Sequence, residues 1–455
     1  MKMGYLLFLI CCLPLARAAS LAEFRGDEAA IYLDLYHVDG SNSSLGNKSP
    51  EPLTHVLARD ENRIKALRYR ITRTKEHKPS VILNQSIDIL GPESVSIPAS
   101  PGLSLGSGNY YVKIGLGMPA KYNAMLLDTG SSLSWLQCQP CAISCHAQVD
   151  PLYNPSASRT YKSIPCSTSQ CSSLKEATLN DPFCEVETGK CVYTASYGDS
   201  SYSIGYLSQD LLSLSPSETS PSFLYGCGQD NEGLFGRAAG IVGLARQRLS
   251  LISQLSPKYG NAFSYCLPSE TSIGGGFLSI GSTSLTASAF RFTPMITESR
   301  EKSLYFLRLG AISLAGKPLS VAATQYRVPT IIDSGTVISR LPSSVYVALK
   351  QAFINIMSRK YAKAPSYSIL DTCFKGSLKT MSVPQMRLVF QGGADLALTP
   401  ANILIDVEKG TTCLAFASSS GNNEIAVIGN HQQKTFKVAY DVTNSRIGFA
   451  AGGCH

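Results

Sequence analysis

The chain has 455 residues, a formal net charge of +8 and 16% charged residues, below the roughly 25% that is usual for soluble domains. This length allows two domains plus additional segments. The low charge favours an all-β, loop-rich protein over a helical one, and so modest a net charge gives no indication of nucleic-acid binding.

The N-terminus has the three parts of a secretory signal peptide, which we assign to residues 1–18. Lys2 precedes an apolar core from Tyr5 to Leu15, and Ala16-Arg17-Ala18 is a small-x-small cleavage site. The core is too short to span a bilayer, and no later stretch has the length of a transmembrane helix. We therefore expect a secreted protein without a membrane anchor.

The following segment, residues 19–107, has the features of a removable pro-segment. Between residues 59 and 78 it carries eight basic residues against three acidic ones, a local balance of +5. Ile64, Leu67 and Ile71 recur at helical spacing, so an amphipathic basic helix is predicted, although a solvated surface helix would show the same pattern. The basic residues are Arg59, Arg63, Lys65, Arg68, Arg70, Arg73, Lys75 and Lys78.

The end of this segment has the composition of a linker. Ser94 to Ser107 is rich in Ser, Pro and Gly, so we expect processing there. The Asn-x-Ser sequons at Asn42, Asn47 and Asn84 all precede it. Glycans on these residues would sit on the part that is discarded.

From Asn109 onward, short β-rich runs alternate with turn residues, which predicts an all-β fold. Helical signals are few, and the clearest is Ser343 to Lys360. The predicted strands are Tyr110 to Leu116, Asn123 to Leu127, Val192 to Tyr197, Phe223 to Cys227, Phe277 to Ile280, Phe306 to Leu314, Thr330 to Ile332, Leu388 to Phe390 and Thr435 to Tyr440.

Two stretches, Ala124 to Ser131 and Thr330 to Thr336, share one pattern. In each, an apolar run stops at an Asp that is followed by a hydroxyl residue, a Gly and another hydroxyl residue. A buried Asp is costly unless it is paired, and Gly lets the backbone turn beside it. One such motif could merely open a turn, but two indicate related lobes that bring Asp128 and Asp333 together. Carboxylates that share one proton titrate apart, so one acts as base and the other as acid.

Twelve of the fourteen Cys remain after removal of the signal peptide, which holds Cys11 and Cys12. An even number in an oxidising compartment predicts six disulfides, whose pairing the spacing leaves open. Zinc is the alternative, because Cys138, Cys141, Cys145 and His146 have roughly ligand-like spacing. Secretion and the remaining Cys favour disulfides, so no metal site is predicted. The twelve are Cys138, Cys141, Cys145, Cys166, Cys171, Cys184, Cys191, Cys227, Cys266, Cys373, Cys413 and Cys454.

From about Gly108 to the C-terminus, the chain resembles the pepsin-like aspartic peptidases. It is most similar to the plant nepenthesin-type group, close to apoplastic and nucleoid-associated proteases. The motifs that carry the resemblance are the two Asp units, Ser196-Tyr197-Gly198-Asp199, Trp135 seven residues after Asp128, and the apolar-apolar-Gly runs at 241–243 and 427–429.

The resemblance implies a bilobal fold, in which two related β-barrel-like lobes enclose an active-site cleft. The N-terminal lobe would span residues 108–297, with a Cys-rich insertion at 145–191, and the C-terminal lobe residues 298–455. It also implies the disulfide pairs 138–141, 145–227, 166–191, 171–184, 266–454 and 373–413.

Roles of individual residues follow from the same resemblance. Asp128 and Asp333 would be catalytic, Ser131 and Thr336 would hydrogen-bond their outer carboxylate oxygens, and Gly130 and Gly335 would supply backbone amides. Tyr197, Gly198 and Asp199 would form the flap over the substrate, with Trp135 donating a hydrogen bond to the Tyr197 hydroxyl. The flap departs from the group at Asp199 and Ser200, which leaves substrate preference open.

The predicted function is that of an aspartic endopeptidase that is made as a zymogen, secreted to the apoplast and active on proteins or peptides at acidic pH as a monomer. A basic pro-segment helix before a two-Asp cleft would hold both carboxylates ionised and block substrate. No cofactor is expected. Gly115-x-Gly117-x-x-Ala120 matches a dinucleotide-binding fingerprint, but the helix that such a site needs does not follow it.

Two alternatives remain open. One is a catalytically weak pepsin-fold binding or inhibitor protein, although both Asp motifs and Tyr197 are intact. The other is a plastid nucleoid-associated protease with DNA affinity, which requires a transit peptide where this N-terminus has a secretory pattern.

Overall fold

The structure is a computed structural model that describes residues 31–37, 44, 52–72, 110–269, 275–281, 285, 290–299, 301–419 and 424–452. Several predicted features lie outside these residues. They are the signal peptide, the linker Ser94 to Ser107, the sequons at Asn42, Asn47 and Asn84, the basic residues Arg73, Lys75 and Lys78, and Cys454.

Strands dominate the described part of the chain. The first group comprises β1 (Ile31–His37), β2 (Tyr110–Leu116), β3 (Lys121–Asp128), β4 (Trp135–Gln137), β5 (Lys162–Ser163), β6 (Phe183–Cys184), β7 (Cys191–Ser196), β8 (Tyr202–Ser213), β9 (Thr219–Glu232), β10 (Gly240–Gly243), β11 (Ala262–Cys266), β12 (Gly276–Ile280) and β13 (Arg291–Pro294). The second comprises β14 (Phe306–Leu307), β15 (Leu309–Leu314), β16 (Lys317–Pro318), β17 (Thr330–Ile332), β18 (Ser339–Pro342), β19 (Lys363–Ala364), β20 (Cys373–Lys375), β21 (Met386–Phe390), β22 (Asp395–Leu398), β23 (Leu404–Glu408), β24 (Thr411–Leu414), β25 (Phe416–Ser419), β26 (Ala426–Ile428), β27 (Lys437–Asp441) and β28 (Arg446–Ala450).

Helices in the described residues are few, and most of them are short. They are α1 (Leu53–Thr72), α2 (Ser169–Ser172), α3 (Leu174–Thr178), α4 (Leu251–Tyr259), α5 (Ser343–Met357), α6 (Pro400–Ile403) and α7 (Asn430–Gln433). The predicted helix from Ser343 is therefore present and ends at Met357 rather than Lys360. None of the described helices is both long and apolar enough to span a membrane.

The predicted strands are present, with some changed bounds. The strand predicted for Phe306 to Leu314 is interrupted after Leu307, so it forms β14 and β15. The strand predicted from Thr435 begins only at Lys437, because Thr435 has a φ of +67°, outside the extended region.

The protein has the predicted all-β, bilobal pepsin-like architecture. A 15-stranded sheet carries strands β1–β13 and also β27 and β28, so the two halves of the chain share one continuous sheet. A five-stranded sheet, ordered β14-β17-β26-β18-β25, and two four-stranded sheets complete the C-terminal lobe.

The two Asp motifs have the same strand pairing. In the N-terminal lobe, β3 runs parallel to β10, and β10 is antiparallel to β4. In the C-terminal lobe, β17 runs parallel to β26, and β26 is antiparallel to β18. The repeated sequence pattern thus folds into a repeated structural unit that ends at the same point in both lobes.

Strand β1 comes from the predicted pro-segment and was not predicted. It lies between β2 and β12 and is antiparallel to both. Ile31, Leu33 and Leu35 are buried, whereas Tyr32 and Asp34 between them are exposed. This alternation is the period of a half-buried strand, so the signal was present in the sequence.

Helix α1 contains the predicted periodic residues and lies against the C-terminal lobe. Its N-terminal part packs Val56 and Leu57 against Val337 and Ile338, within one buried cluster. Its C-terminal part packs into a second cluster, whose members on the helix are Ile64, Leu67 and Ile71 and whose members on the lobe include Leu304, Phe306, Ile331 and Val427. The apolar face of α1 is therefore satisfied by the C-terminal lobe, and the helix is not a solvated surface element.

The disulfides differ from the pairing that the resemblance implied. Of the six predicted pairs, Cys373–Cys413 is present, on directly opposed residues of β20 and β24. Four predicted pairs are wrong, because the bonds formed are Cys138–Cys227, Cys141–Cys145, Cys166–Cys184 and Cys171–Cys191. Cys266 is also disulfide-bonded, but the predicted partner Cys454 lies outside the described residues.

Proximity in the fold explains these corrections. Cys138 directly follows β4, which runs parallel to β9, and its Cα lies 5.4 Å from that of Cys227. In the insertion, Cys171 on α2 and Cys191 on β7 are both buried and pair with each other. Because Cys138, Cys141 and Cys145 are all oxidised, their sulfurs are not zinc ligands, and no metal-binding cluster occurs among the described residues.

Candidate active site

Asp128 and Asp333 meet at the interface between the two lobes. Asp128 is the last residue of β3 and faces Gly243 of β10 in register. Asp333 directly follows β17, and its backbone N–H donates to the carbonyl oxygen of Ile428 at 3.1 Å. Both side chains are almost fully buried. Buried parallel strands therefore fix the backbone position of both Asp motifs.

The residue after each Asp links the two lobes. The Ser334 N–H donates to Oγ1 of Thr129 at 2.9 Å, and the Thr129 N–H donates to Oγ of Ser334 at 3.1 Å. All of these atoms are buried. The reciprocal hydrogen bonds fix the position of one Asp loop relative to the other.

The predicted supporting residues lie around the carboxylates. The Gly130 N–H donates to Oδ1 of Asp128 at 2.9 Å, and the Gly335 N–H donates to Oδ1 of Asp333 at 3.3 Å. Thr336 Oγ1 donates to Oδ2 of Asp333 at 2.6 Å. Three of the four supporting residues thus make the contact that was expected.

Ser131 differs from the expectation. Its Oγ and the Oδ2 of Asp128 are both buried, and neither has a hydrogen-bond partner among the described residues. The carboxylate of Asp128 instead makes its contacts through Oδ1, to the Gly130 N–H and to a cation. The two Asp loops are therefore not equivalent in this state.

That cation is Arg63 of α1, whose guanidinium lies between the two carboxylates. Its Nη2 donates to Oδ1 of Asp128 at 2.6 Å and to Oδ1 of Asp333 at 2.8 Å. Its Nε donates to Oδ2 of Asp333 at 2.7 Å. A single nitrogen thus bonds to both carboxylates, and the contact with Asp333 is bidentate, the strong geometry for this pair of groups.

The contact with Arg63 changes the pKa values of the groups that form it. Burial alone would raise the pKa of Asp333, but the Arg63 guanidinium and the hydrogen bonds from Arg63, Thr336 and Gly335 hold it below its usual value. Burial would lower the pKa of Arg63, but the two carboxylates raise it well above its usual value. The Arg63 cation and the ionised form of Asp333 therefore stabilise each other.

The glycines of both motifs are required by the approach of α1. A Cβ on Gly130 would lie 2.4 Å from Nη2 of Arg63, and one on Gly335 would lie 2.5 Å from the same atom. A Cβ on Gly198 of the flap would lie 2.3 Å from the Cβ of Ala66. Helix α1 thus fills the space directly above the dyad and below the flap.

The flap is the turn between β7 and β8. The Tyr197 N–H donates to the carbonyl of Ser201 at 2.8 Å, and Oδ1 of Asp199 accepts from the Ser201 N–H at 3.0 Å. Ser200 has a φ of +69° where the related group usually has Gly, so its backbone lies in the left-handed region that favours glycine.

Trp135 makes the contact with the flap that the family resemblance implied. Its Nε1 donates to the hydroxyl oxygen of Tyr197 at 2.6 Å, and Phe235 packs edge-on against both rings. Burial raises the pKa of Tyr197, so its hydroxyl stays neutral and available as an acceptor and a donor. Trp135 itself is fully buried and lies in β4, in register with Ile241 of β10.

Two further charged residues of α1 contact the walls of the cleft. Asp60 accepts from the N–H groups of Val337 at 2.6 Å and Ile338 at 3.1 Å, and it pairs with Arg340. Arg70 donates to the carbonyl of Gly130 at 2.8 Å. It also contacts the C-terminal lobe at Glu301 and Ser303.

Sequence reasoning did not single out Arg63 among eight basic residues, and it missed Asp60, Arg340 and the link between Thr129 and Ser334. For the last pair a signal existed, since both are the hydroxyl residues that follow the two Asp. For Arg63, only the helical register relative to Ile64 and Leu67 could have indicated which cation points away from the apolar face.

Comparison with known proteins supports the same family. The family models described as Xylanase inhibitor N-terminal and Xylanase inhibitor C-terminal match residues 110–282 and 304–451. An aspartyl protease family protein of Arabidopsis thaliana is 38% identical over 448 residues, covering 97% of this chain and 91% of the relative. The aspartic proteinase nepenthesin-2 of Nepenthes gracilis is 34% identical over 359 residues, covering 77% of this chain and 78% of the relative.

A likeness in fold extends to solved structures. The crystal structure of basic 7S globulin from soybean superposes with a TM-score of 0.60 at 22% identity, covering 76% of this chain and 94% of that one. At this identity the likeness concerns the fold alone. The two family matches and the curated relatives show that the chain belongs to the plant pepsin-like aspartic proteases of the atypical, nepenthesin-type group and is an enzyme of the aspartic endopeptidase type.

Proposed function

We propose that the mature enzyme hydrolyses peptide bonds at acidic pH with a water molecule held between Asp128 and Asp333. The ionised carboxylate takes a proton from this water while the protonated one polarises the scissile carbonyl. No covalent enzyme intermediate forms. The observation that carries the proposal is the convergence of the two buried carboxylates on the single nitrogen Nη2 of Arg63.

We further propose that the full chain is a zymogen. With Arg63 in place, its guanidinium favours the ionised form of Asp333 and occupies the position between the two carboxylates where the water would lie. Helix α1 also occupies the space between the dyad and the flap, where a substrate would lie. The pro-segment of residues 19–107 therefore inhibits by charge and by exclusion at once, and β1 and α1 anchor it to both lobes.

Acid releases this inhibition. Because the pKa of Asp333 is lowered while Arg63 is bound, its contribution to pro-segment binding is complete above the ordinary carboxyl pKa and is lost as the pH falls through the lowered value. Glu301 contributes in the same direction: burial would raise its pKa, but Arg70 and Ser303 lower it. Asp60 acts in the opposite direction, because burial raises its pKa. Two of these three carboxyls thus favour release in acid.

Two lobes, residues 108–297 and 298–455, with the Cys-rich insertion 145–191 in the first, complete the proposed organisation. The gap between the two family matches, from 282 to 304, supports the boundary. We further propose secretion to the apoplast as a monomer, with the signal peptide removed and the sequons Asn42, Asn47 and Asn84 on the discarded segment. The distribution of a tagged copy and the N-terminus that it carries test these points.

The test of the activity uses the full chain. At neutral pH it should be inactive on a denatured protein substrate, and acidification should produce activity together with a new N-terminus between residues 72 and 110. A statine-type transition-state inhibitor should abolish that activity. Peak activity near pH 8, or insensitivity to the inhibitor, would contradict the mechanism. An intact dyad without any peptidase activity would instead favour the binding-protein alternative.

A further inference from the structure

Arg340 occupies the position in the C-terminal lobe that Trp135 occupies in the N-terminal lobe. Each lies seven residues after its Asp. Arg340 is in register with Val427, two residues before Gly429, just as Trp135 is in register with Ile241, two residues before Gly243. Trp135 reaches the cleft from this position to hold the flap. The equivalent position therefore brings the Arg340 side chain to the opposite wall of the cleft.

Helix α1 supplies the carboxylates that Arg340 contacts. Nη1 lies 3.1 Å from Oδ2 of Asp60, and Nη2 lies 3.4 Å from Oε2 of Glu61. Nη1 also donates to the carbonyl of Ile338 at 2.9 Å, whereas Nε has no hydrogen-bond partner among the described residues. The Arg340 side chain is fully buried in this state.

Asp60 is held by a complete carboxylate-binding arrangement. Its two oxygens accept from the adjacent backbone N–H groups of Val337 and Ile338, and Arg340 adds the positive charge. All three donors belong to the segment that follows Asp333 and Thr336. A guanidinium beside two amide donors can bind any carboxylate that reaches the position of the Asp60 carboxylate.

Departure of α1 leaves these donors without their carboxylate. An unpaired guanidinium is strongly unfavourable when buried, so Arg340 must face solvent or a new anion in the mature cleft. A substrate that takes the place of α1 meets this group beside the dyad. We infer that Arg340, with the amides of Val337 and Ile338, forms a subsite for an acidic side chain of the peptide substrate; this inference rests on the proposed proteolytic function.

A subsite of opposite charge lies at the other end of α1. Arg70 contacts Oε2 of Glu301 at 3.2 Å, Oγ of Ser303 at 2.7 Å and the carbonyl of Gly130 at 2.8 Å. Glu301 is 5% exposed. When Arg70 leaves, a buried carboxylate and two further acceptors remain, which suits a basic side chain of the same substrate.

The helix sets the spacing of the two subsites. Asp60 and Arg70 are ten residues apart, about 15 Å along a helix. An extended peptide covers that length in about 4–5 residues. Because Arg63 contacts the dyad between them, the scissile bond should lie between the acidic and the basic side chain.

Matched peptides test the inference on the mature enzyme, obtained by acid processing of the full chain. Each position on either side of the scissile bond is varied as Glu against Gln and as Arg against citrulline. The ratio of kcat/KM within each pair is measured near pH 5, where the Glu carboxylate is ionised. We expect one position with about a tenfold or larger preference for Glu and another with a similar preference for Arg.

Two variants assign these preferences. Arg340→Met should remove the Glu preference and keep the Arg preference, and Glu301→Gln should do the reverse. Arg387→Met, which removes an exposed Arg paired with Asp395 at the surface, should keep both. Titration with a tight-binding statine-type inhibitor gives the active-enzyme concentration, so ratios are compared at equal amounts of enzyme.

The outcomes separate the inference from the proposed function. If the unmodified enzyme cleaves none of the peptides, the proposed function fails and the inference with it. If it cleaves them with a Glu-to-Gln ratio near one at every position, the acidic subsite is wrong although the protease is real. If Arg340→Met does not fold, the unmodified enzyme decides alone, because its Glu preference should vanish as the pH falls below the pKa of the substrate carboxyl.

Discussion

The two lobes build the same local unit and use it for different purposes. In both, a buried strand ends at the Asp of the motif, a parallel strand runs behind it, and the residue seven positions further reaches the cleft. In the N-terminal lobe that residue is Trp135, which contacts Tyr197 of the enzyme's own flap. In the C-terminal lobe it is Arg340, which contacts Asp60 of the proposed pro-segment. The difference shows that the N-terminal lobe carries the flap, whereas the C-terminal lobe carries the main surface against which α1 packs.

The dyad is the point at which the two lobes should be equivalent. Asp128→Asn and Asp333→Asn should each lose at least about a hundredfold in kcat, because either change breaks proton sharing between the carboxylates. Because inactive variants cannot process themselves, thermal unfolding of the full chains checks that the fold is kept. A variant that retains more than about a tenth of the activity would contradict the shared role.

Arg63 is the point at which α1 bridges the two lobes. Arg63→Met keeps the aliphatic stem and removes the cation, so the pH at which the full chain processes itself should rise by about one unit or more. The pH of half-maximal processing, read on gels after a fixed time, measures the shift. Lys65→Met, which changes an exposed cation of the same helix, is the matched control and should leave this pH unchanged. An unchanged midpoint in Arg63→Met would show that apolar packing of α1 alone sets the release.

Changes at the flap test the contact between Trp135 and Tyr197 in the N-terminal lobe. Tyr197→Phe removes the acceptor of the Trp135 hydrogen bond and keeps the packing on Phe235, so kcat/KM should fall by up to about tenfold and activity should remain. Trp135 is the one Trp of the chain, so its emission should change with the concentration of a statine-type inhibitor in parallel with inhibition. Emission that does not move at saturation would contradict the place of Trp135 beneath the flap.

The reciprocal link between the Asp loops should affect stability more than chemistry. Thr129→Val and Ser334→Ala each leave a buried backbone N–H without its acceptor, which costs about 1–3 kcal/mol of unfolding free energy. Denaturant unfolding of the full chain measures both losses. Because the two hydrogen bonds form one network, the double variant should lose less than the sum of the two single losses. Additive losses would show that the two bonds act independently.

Local patterns in the sequence determined much of this protein. Each Asp motif and the helical period of Ile64, Leu67 and Ile71 depend on residues that are close in the chain, and the structure has a buried strand before each Asp and a helix over the periodic residues. The contact between Trp135 and Tyr197 was implied by the family resemblance, and the structure contains that hydrogen bond. Hydrophobic periodicity and turn-forming residues are local features that extend over a few positions, so they can be recognised in a single sequence. The alternation in β1 was equally visible but was not used.

Tertiary structure alone decided which distant groups meet. Among the described residues, Cys138–Cys227 and the two pairs of the insertion join residues that packing brings together, so these pairs could not follow from spacing. The choice of Arg63 over the other cations, and of Arg340 as the partner of Asp60, depends on how α1 lies against the C-terminal lobe. The positions of charged residues along a chain do not show which of them form ion pairs. The pairs are fixed only when packing brings two elements of the fold together. For this reason the sequence predicted a basic pro-segment, and the fold determined which of its residues holds the dyad.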